Sequence, residues 1–122
     1  MRTTPAQLDF IGMAIACLGE YTARKATNNR WGYTRRLVSK HGLVDVCVSR
    51  HRSATYLGTV FMQFHNTTGV AHEFNPHDDP QHPLAISPGR WPLHICRTKT
   101  PEEGLQALRY RLTLIGAKRK ED

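Results

Sequence analysis

The chain has 122 residues, 39% hydrophobic and 22% charged, with a formal net charge of +7 at pH 7. That length suits one domain able to bury a core without metal or disulfide staples, and the apolar content argues against a wholly disordered chain. The longest apolar-leaning window, residues 8–18, is broken by Asp9 and Gly12 and covers about half of the ~20 residues a bilayer crossing needs, so no membrane association is expected.

In chain order, Thr4-Pro5-Ala6-Gln7 is a helix start, with a capping threonine, a proline at the first helical position and a glutamine to complete the box. Leu8, Ile11, Ile15, Leu18 and Thr22 then share one face, widened by Met13, Ala14 and Cys17, and the helix is expected to fade over 24–27 before the turn signal Asn28-Asn29. Strands are expected over 32–40, 43–50 and 54–65. In the second, Val44, Val46 and Val48 alternate with Asp45, Cys47 and Ser49. In the third, Val60, Met62 and Phe64 oppose Thr59, Phe61, Gln63 and His65. Short connectors make these runs an antiparallel meander. Residues 70–74 suit a further short strand, 75–89 a loop with four prolines, and 91–97 a last strand with Leu93 and Ile95 inward. Thr100-Pro101-Glu102-Glu103 opens a second helix with the stripe Leu105, Leu108, Leu112 and Ile115, ended by Gly116.

The expected fold is therefore α+β. A single domain over 1–117 packs N-terminal and C-terminal helices on one face of an antiparallel sheet of three to five strands, and a charged tail follows over 118–122. The other sheet face stays open for a ligand. Cys17, Cys47 and Cys96 are odd in number and form no CxxC, so buried free thiols in a reducing cytoplasm are expected, and no secretory signal is recognised.

The charge is one-sided. Residues 21–65 hold eight basic residues and one acid, Asp45, a net +7, while the nine remaining basic residues are balanced by nine acids. Such a block is the electrostatic footprint of a polyanion-binding surface, nucleic acid above all. Within it, residues 28–36 interleave cations, amides and aromatics, as phosphate contact and base stacking require. Arg30, Trp31, Tyr33, Arg35, Arg36, Lys40, Arg50 and Arg52 are the candidate DNA or RNA contacts, expected on one contiguous surface. Basic residues also guard sheet edges against aggregation, which needs no ligand.

The order helix, three strands, helix is similar to that of double-stranded-RNA-binding domains, although the last helix here starts with Glu102 and Glu103 where that family has lysines. Gly32-Tyr33-Thr34-Arg35-Arg36, the valine strand and Tyr56-Leu57-Gly58-Thr59 resemble the sheet of AP2-type DNA-binding domains, but about 40 residues separate them from the next helix. Neither family is assigned.

His72, His77 and His82, spaced by five with Asp78 nearby, are the residues a metal would use. His72-Glu73-Phe74-Asn75-Pro76-His77 is one residue longer than HExxH and contains a proline, so no metal is expected. Without GxxxxGK[ST] or GxGxxG no nucleotide cofactor is expected. The expected function is a small cytoplasmic nucleic-acid-binding protein without enzymatic activity. The alternative is a protein-interaction or inhibitor module, of the kind mobile elements carry, docking its basic face on an acidic surface. A metal-dependent nuclease built on the histidine loop stands third.

Overall fold

Residues 3–29, 32–50, 55–65 and 90–121 are described by the structure, a computed structural model. They form helix α1 (Pro5–Leu18), strands β1 (Ala23–Asn29), β2 (Gly32–Ser39), β3 (Gly42–Ser49), β4 (Tyr56–Phe64) and β5 (Arg90–Cys96), and helix α2 (Pro101–Leu114). The strands make one antiparallel sheet in the order β1-β2-β3-β4-β5, with both helices packed against it. This is the expected α+β architecture. The candidate strand at 70–74, the proline loop, His72, His77, Asp78, His82, Arg30, Trp31 and Arg52 lie outside the described residues.

Both helices begin where local chemistry places them. Thr4 Oγ1 accepts from the Gln7 N–H at 3.2 Å while Gln7 Oε1 accepts from the Thr4 N–H at 2.8 Å. Thr100 and Glu103 repeat that reciprocal pair at 3.2 and 3.0 Å. Each box satisfies two N–H groups that a helix start otherwise leaves unpaired. At the end of α2, Gly116 takes a φ of +63°. The Gly116 N–H donates to Thr113 O and the Ala117 N–H to Leu112 O, both at 3.0 Å, a Schellman closure that favours glycine.

Helix α1 stops at Leu18, earlier than expected. Residues 23–29 instead form β1, pairing with β2 from Ala23↔Leu37 to Asn29↔Gly32. Nothing in their composition marks a strand. The hydrogen-bonding edge of β2 does, because seven residues of otherwise polar backbone find partners there. Gly32 is demanded by the return: its φ is +148°, and a Cβ would lie 2.4 Å from the Val48 carbonyl oxygen.

The core fills the space between helices and sheet. Leu37, Val44, Val46, Val48, Val60, Met62, Phe64 and Ile95 come from the sheet, and Phe10, Ala14, Cys17, Leu18, Leu108, Leu112 and Ile115 from the helices and their ends. On α1 the buried stripe runs through Phe10, Ala14 and Cys17, and Leu8 is 54% exposed, a rotation from the expected face. Its cause is local packing. The Phe10 ring sits between Gly58 and Gly104: a Cβ at either glycine would fall 2.7–2.9 Å from ring carbons on opposite edges. Two missing side chains make the slot for one aromatic ring.

The segment after α2 is hydrogen-bonded into the fold. Lys118 donates its N–H to Val38 O and accepts at its carbonyl from the Thr22 N–H, both at 2.8 Å. Arg119 bridges Tyr21, and the Lys120 N–H donates to Glu20 O at 3.0 Å. The segment is thus wedged between the start of β1 and the end of β2.

Candidate nucleic-acid interface

Strand alternation and register define the face of the sheet away from the helices. One cross-strand row is Lys25, Arg36, Asp45 and Gln63; the next is Thr27, Thr34, Cys47 and Phe61; a third is Ser49, Thr59 and His94. Cations lie on β1 and β2, and aromatic and imidazole rings on β4 and β5. Tyr56 joins the latter through a β-bulge that breaks the β4–β5 register, its ring centroid 5.4 Å from that of His94. Thr59 Oγ1 lies 3.3 Å from His94 Nδ1.

The expectation of one contiguous surface fails for the described candidates. Arg36 is on the face away from the helices. Its neighbour Arg35 points the other way, toward the helices, where Nη1 donates to the Tyr33 hydroxyl at 3.2 Å and Nη2 to the Tyr21 carbonyl at 3.1 Å. Arg35 Nε is buried and makes no hydrogen bond to the described residues. Tyr33 packs on the core edge on that same side. Arg50 also lies on the helix side, donating to Thr3 Oγ1 at 3.2 Å before α1. Lys40 is exposed in the β2–β3 hairpin, where its side chain lies alongside Gly116. A run of basic residues along a strand is divided between two faces by the pleat, and successive hairpins send its members to opposite ends.

A different cluster forms at the end of the molecule where the C-terminal segment enters. Lys118 and Lys120 are brought to Val38 and Glu20, close to Lys40, whose N–H donates to Ile115 O at 3.1 Å, and to Arg24 and Lys25 on β1. These five side chains are exposed. Among the described acids there, Glu20 is occupied by Arg109 at 3.2 Å and Arg119 at 3.4 Å, leaving Glu121. Arg119 also stacks over Tyr21, 5.5 Å from the ring centroid. Lys118 and Lys120 were missed because Glu121 and Asp122 offset two of the segment's three cations in sequence; no local signal says the segment folds back between β1 and β2.

The cluster continues onto the face away from the helices through a shallow depression of about 80 Å³ lined by Lys25, Thr27, Thr34, Arg36 and Asp45. Asp45 Oδ1 accepts from Arg36 Nε at 2.8 Å and Oδ2 from Arg36 Nη2 at 3.3 Å, with His65 Nε2 3.1 Å from Oδ2. Burial pushes this carboxyl up, but the bonds from Arg36 and His65 outweigh it and hold its pKa below the ordinary carboxylate value. The Lys25, Thr27 and Thr34 side chains make no hydrogen bond or ion pair to the described residues. One cation, Lys25, and two hydroxyls beside the Arg36–Asp45 ion pair suit a phosphate.

Two further features lie elsewhere. A groove of about 460 Å³ between β5 and α2 is lined by Leu93, Ile95, Ala107 and Tyr110, with Cys96 at its margin. All three cysteines are unpaired, but only Cys17 is buried; Cys47 is half-buried and Cys96 exposed, against the expectation of buried thiols. The Thr98 hydroxyl donates to Cys96 Sγ at 3.3 Å and holds that thiol below its ordinary pKa, whereas burial pushes Cys17 up. Among the described residues no three His, Cys, Asp or Glu side chains gather where they could hold a metal, and no helix is long and apolar enough to cross a membrane. No protein-family model matches the chain, and no curated protein or solved structure matches it.

Proposed function

We propose that the protein is a small nucleic-acid-binding module without enzymatic activity, using a basic band that runs from Lys25 and Arg36 to Lys40, Lys118 and Lys120. The observation that carries this is the convergence of exposed cations from β1, the β2–β3 hairpin and the C-terminal segment at one end, where Glu20 is already paired twice and Glu121 is the remaining described acid. An unbalanced surface of this kind concentrates a polyanion near it and gains affinity by releasing the polyanion's counterions. Arg35 and Tyr33 support the fold in this scheme, and Arg50 is set aside on the helix side. The cytoplasm, where nucleic acid is accessible and thiols remain reduced, is the proposed location.

The test is a binding titration of the purified protein against DNA and RNA at 50 and 200 mM salt. With about five phosphate contacts, affinity falls roughly 500-fold across that interval. Salt-dependent binding to an acidic protein surface, with none to either nucleic acid, would transfer the band to the protein-docking alternative.

A further inference from the structure

We infer that the helix side of β1 and β2 is a docking ledge for an acidic amphipathic helix of a partner protein, laid alongside α1. This goes beyond the nucleic-acid reading and does not depend on it. It draws on Arg35 and Arg50, which the basic band leaves out.

The ledge follows from how the layers fit. Helix α1 packs on β3 and β4, and α2 packs on α1 and β4, so β1 and β2 extend past them at one edge of the sheet. Two strands span about 10 Å, the diameter of one helix. The wall of the ledge is the flank of α1 turned away from α2. Phe10 points toward α2, where it meets Gly104. At about 100° per residue, Leu8, Ile11, Gly12 and Ile15 fall together on the opposite flank. Leu8 is 54% exposed, Ile11 and Ile15 are half-buried, and a Cβ on Gly12 would meet nothing within 4 Å. Branched apolar side chains at i, i+3 and i+7 are the stripe by which a helix packs on another element. The floor is made by Ala26 and Asn28 of β1, both exposed, and their cross-strand partners Arg35 and Tyr33 of β2, both half-buried.

Charge decides the occupant. The Arg35 guanidinium donates to two neutral oxygens, the Tyr33 hydroxyl and the Tyr21 carbonyl, and its buried Nε makes no hydrogen bond to the described residues. Arg50 stands at the end of the ledge beside Thr3, bonded to a hydroxyl. Neither meets a carboxylate among the described residues. Asp9 is exposed about 100° round α1 from Leu8, and Glu20 is held by Arg109 and Arg119. A helix with apolar side chains toward Leu8, Ile11 and Ile15 and carboxylates toward Arg35 and Arg50 complements both the stripe and the charge. A second copy of this chain would bring two cationic ledges together, which like charge opposes.

The probe is a synthetic peptide of about 15 residues, the length of α1, with leucines on one helical face and glutamates elsewhere. Its control carries lysine at every glutamate. Peptides this short are marginal helices alone, so circular dichroism reads docking as a gain in helix. Anisotropy of the labelled peptide with the full chain gives the affinity, at about 150 mM salt to screen distant charges. The acidic peptide is expected to bind at least about tenfold more tightly than its lysine counterpart. Leu8→Glu, at an exposed helical site, is expected to keep the urea midpoint and weaken binding about tenfold. Gly12→Glu sets a carboxylate beside Leu8 with better helix propensity than glycine, and is expected to act in the same direction. Lys118→Ala with Lys120→Ala is expected to leave peptide affinity unchanged. Wild-type affinity in both folded α1 variants, loss of binding in the double-lysine variant, or no binding at about 1 mM peptide overturns the ledge, whatever the nucleic-acid titration gives. Dimerisation of the wild type that Leu8→Glu abolishes would make a second copy the occupant and overturn the acidic partner.

Discussion

The slot that holds Phe10 gives a sharp test of the packing, because one substitution should change sign with its background. In α2, replacing Gly104 by alanine removes an entropic burden of about 0.5–1 kcal/mol. Here the added methyl would lie 2.9 Å from Phe10 Cδ1 and Cε1 and 3.1 Å from Ile95 Cγ2. Phe10 is fully buried, with Gly58 against its other edge, so the ring has little room to retreat. Overpacking of this kind costs about 1–3 kcal/mol, which exceeds the helical gain. Gly104→Ala is therefore expected to destabilise the wild type by up to about 2 kcal/mol. Phe10→Ala alone should cost about 3–5 kcal/mol, from lost burial and the cavity it leaves. In the Phe10→Ala protein the ring obstruction is gone and Ile95 can shift into the vacated space, so Gly104→Ala should stabilise by up to about 1 kcal/mol. The assay is urea unfolding of the four proteins of the cycle, read at constant denaturant slope. Stabilisation by Gly104→Ala in the wild type, or an equal effect in both backgrounds, would refute the tight slot.

Three further outcomes are expected. Asp45 has a folded pKa below its unfolded one, so its bonds to Arg36 and His65 add stability above the ordinary carboxylate value of about 3.9 and lose it as pH falls through the folded pKa; the stability gap between wild type and Asp45→Asn should be present at pH 5 and shrink below pH ~4 in pH-dependent urea titrations. Iodoacetamide at neutral pH should label Cys96 ahead of Cys47 and leave Cys17 for last, and Thr98→Val should slow Cys96, as peptide mass mapping over time would show; labelling of Cys17 at the rate of Cys96 in folded protein would contradict the burial pattern. Arg35→Ala should cost about 1–2 kcal/mol through the lost bond to the Tyr21 carbonyl and leave nucleic-acid affinity unchanged, whereas Lys118→Ala with Lys120→Ala should leave the melting temperature in place and reduce the logarithmic salt slope by about 2.

What the sequence by itself determined is whatever is settled within a few residues or by a strict period. The capping boxes at Thr4 and Thr100 close over three residues, and each appears where its motif stands. The stop at Gly116 is equally local. The alternation of Val44, Val46 and Val48 against Asp45, Cys47 and Ser49 places every other side chain inward by the geometry of an extended chain, so the meander was legible. The direction of α1 was not. That helix is apolar on most sides, and Phe10 rather than Leu8 turns inward because glycines 48 and 94 residues further along the chain leave space for a ring. β1 was not legible either, since Ala23–Asn29 becomes a strand only by pairing with β2. The candidate site divides in the same way. The basic character of the chain was evident from composition, but the pleat sends Arg35 inward and Arg36 outward. Only the closure of the C-terminal segment between Thr22 and Val38 sets Lys118 and Lys120 beside Lys40. Charge summed along a chain ignores distance in space, and these distances are set by hydrogen bonds between residues 80 to 100 positions apart.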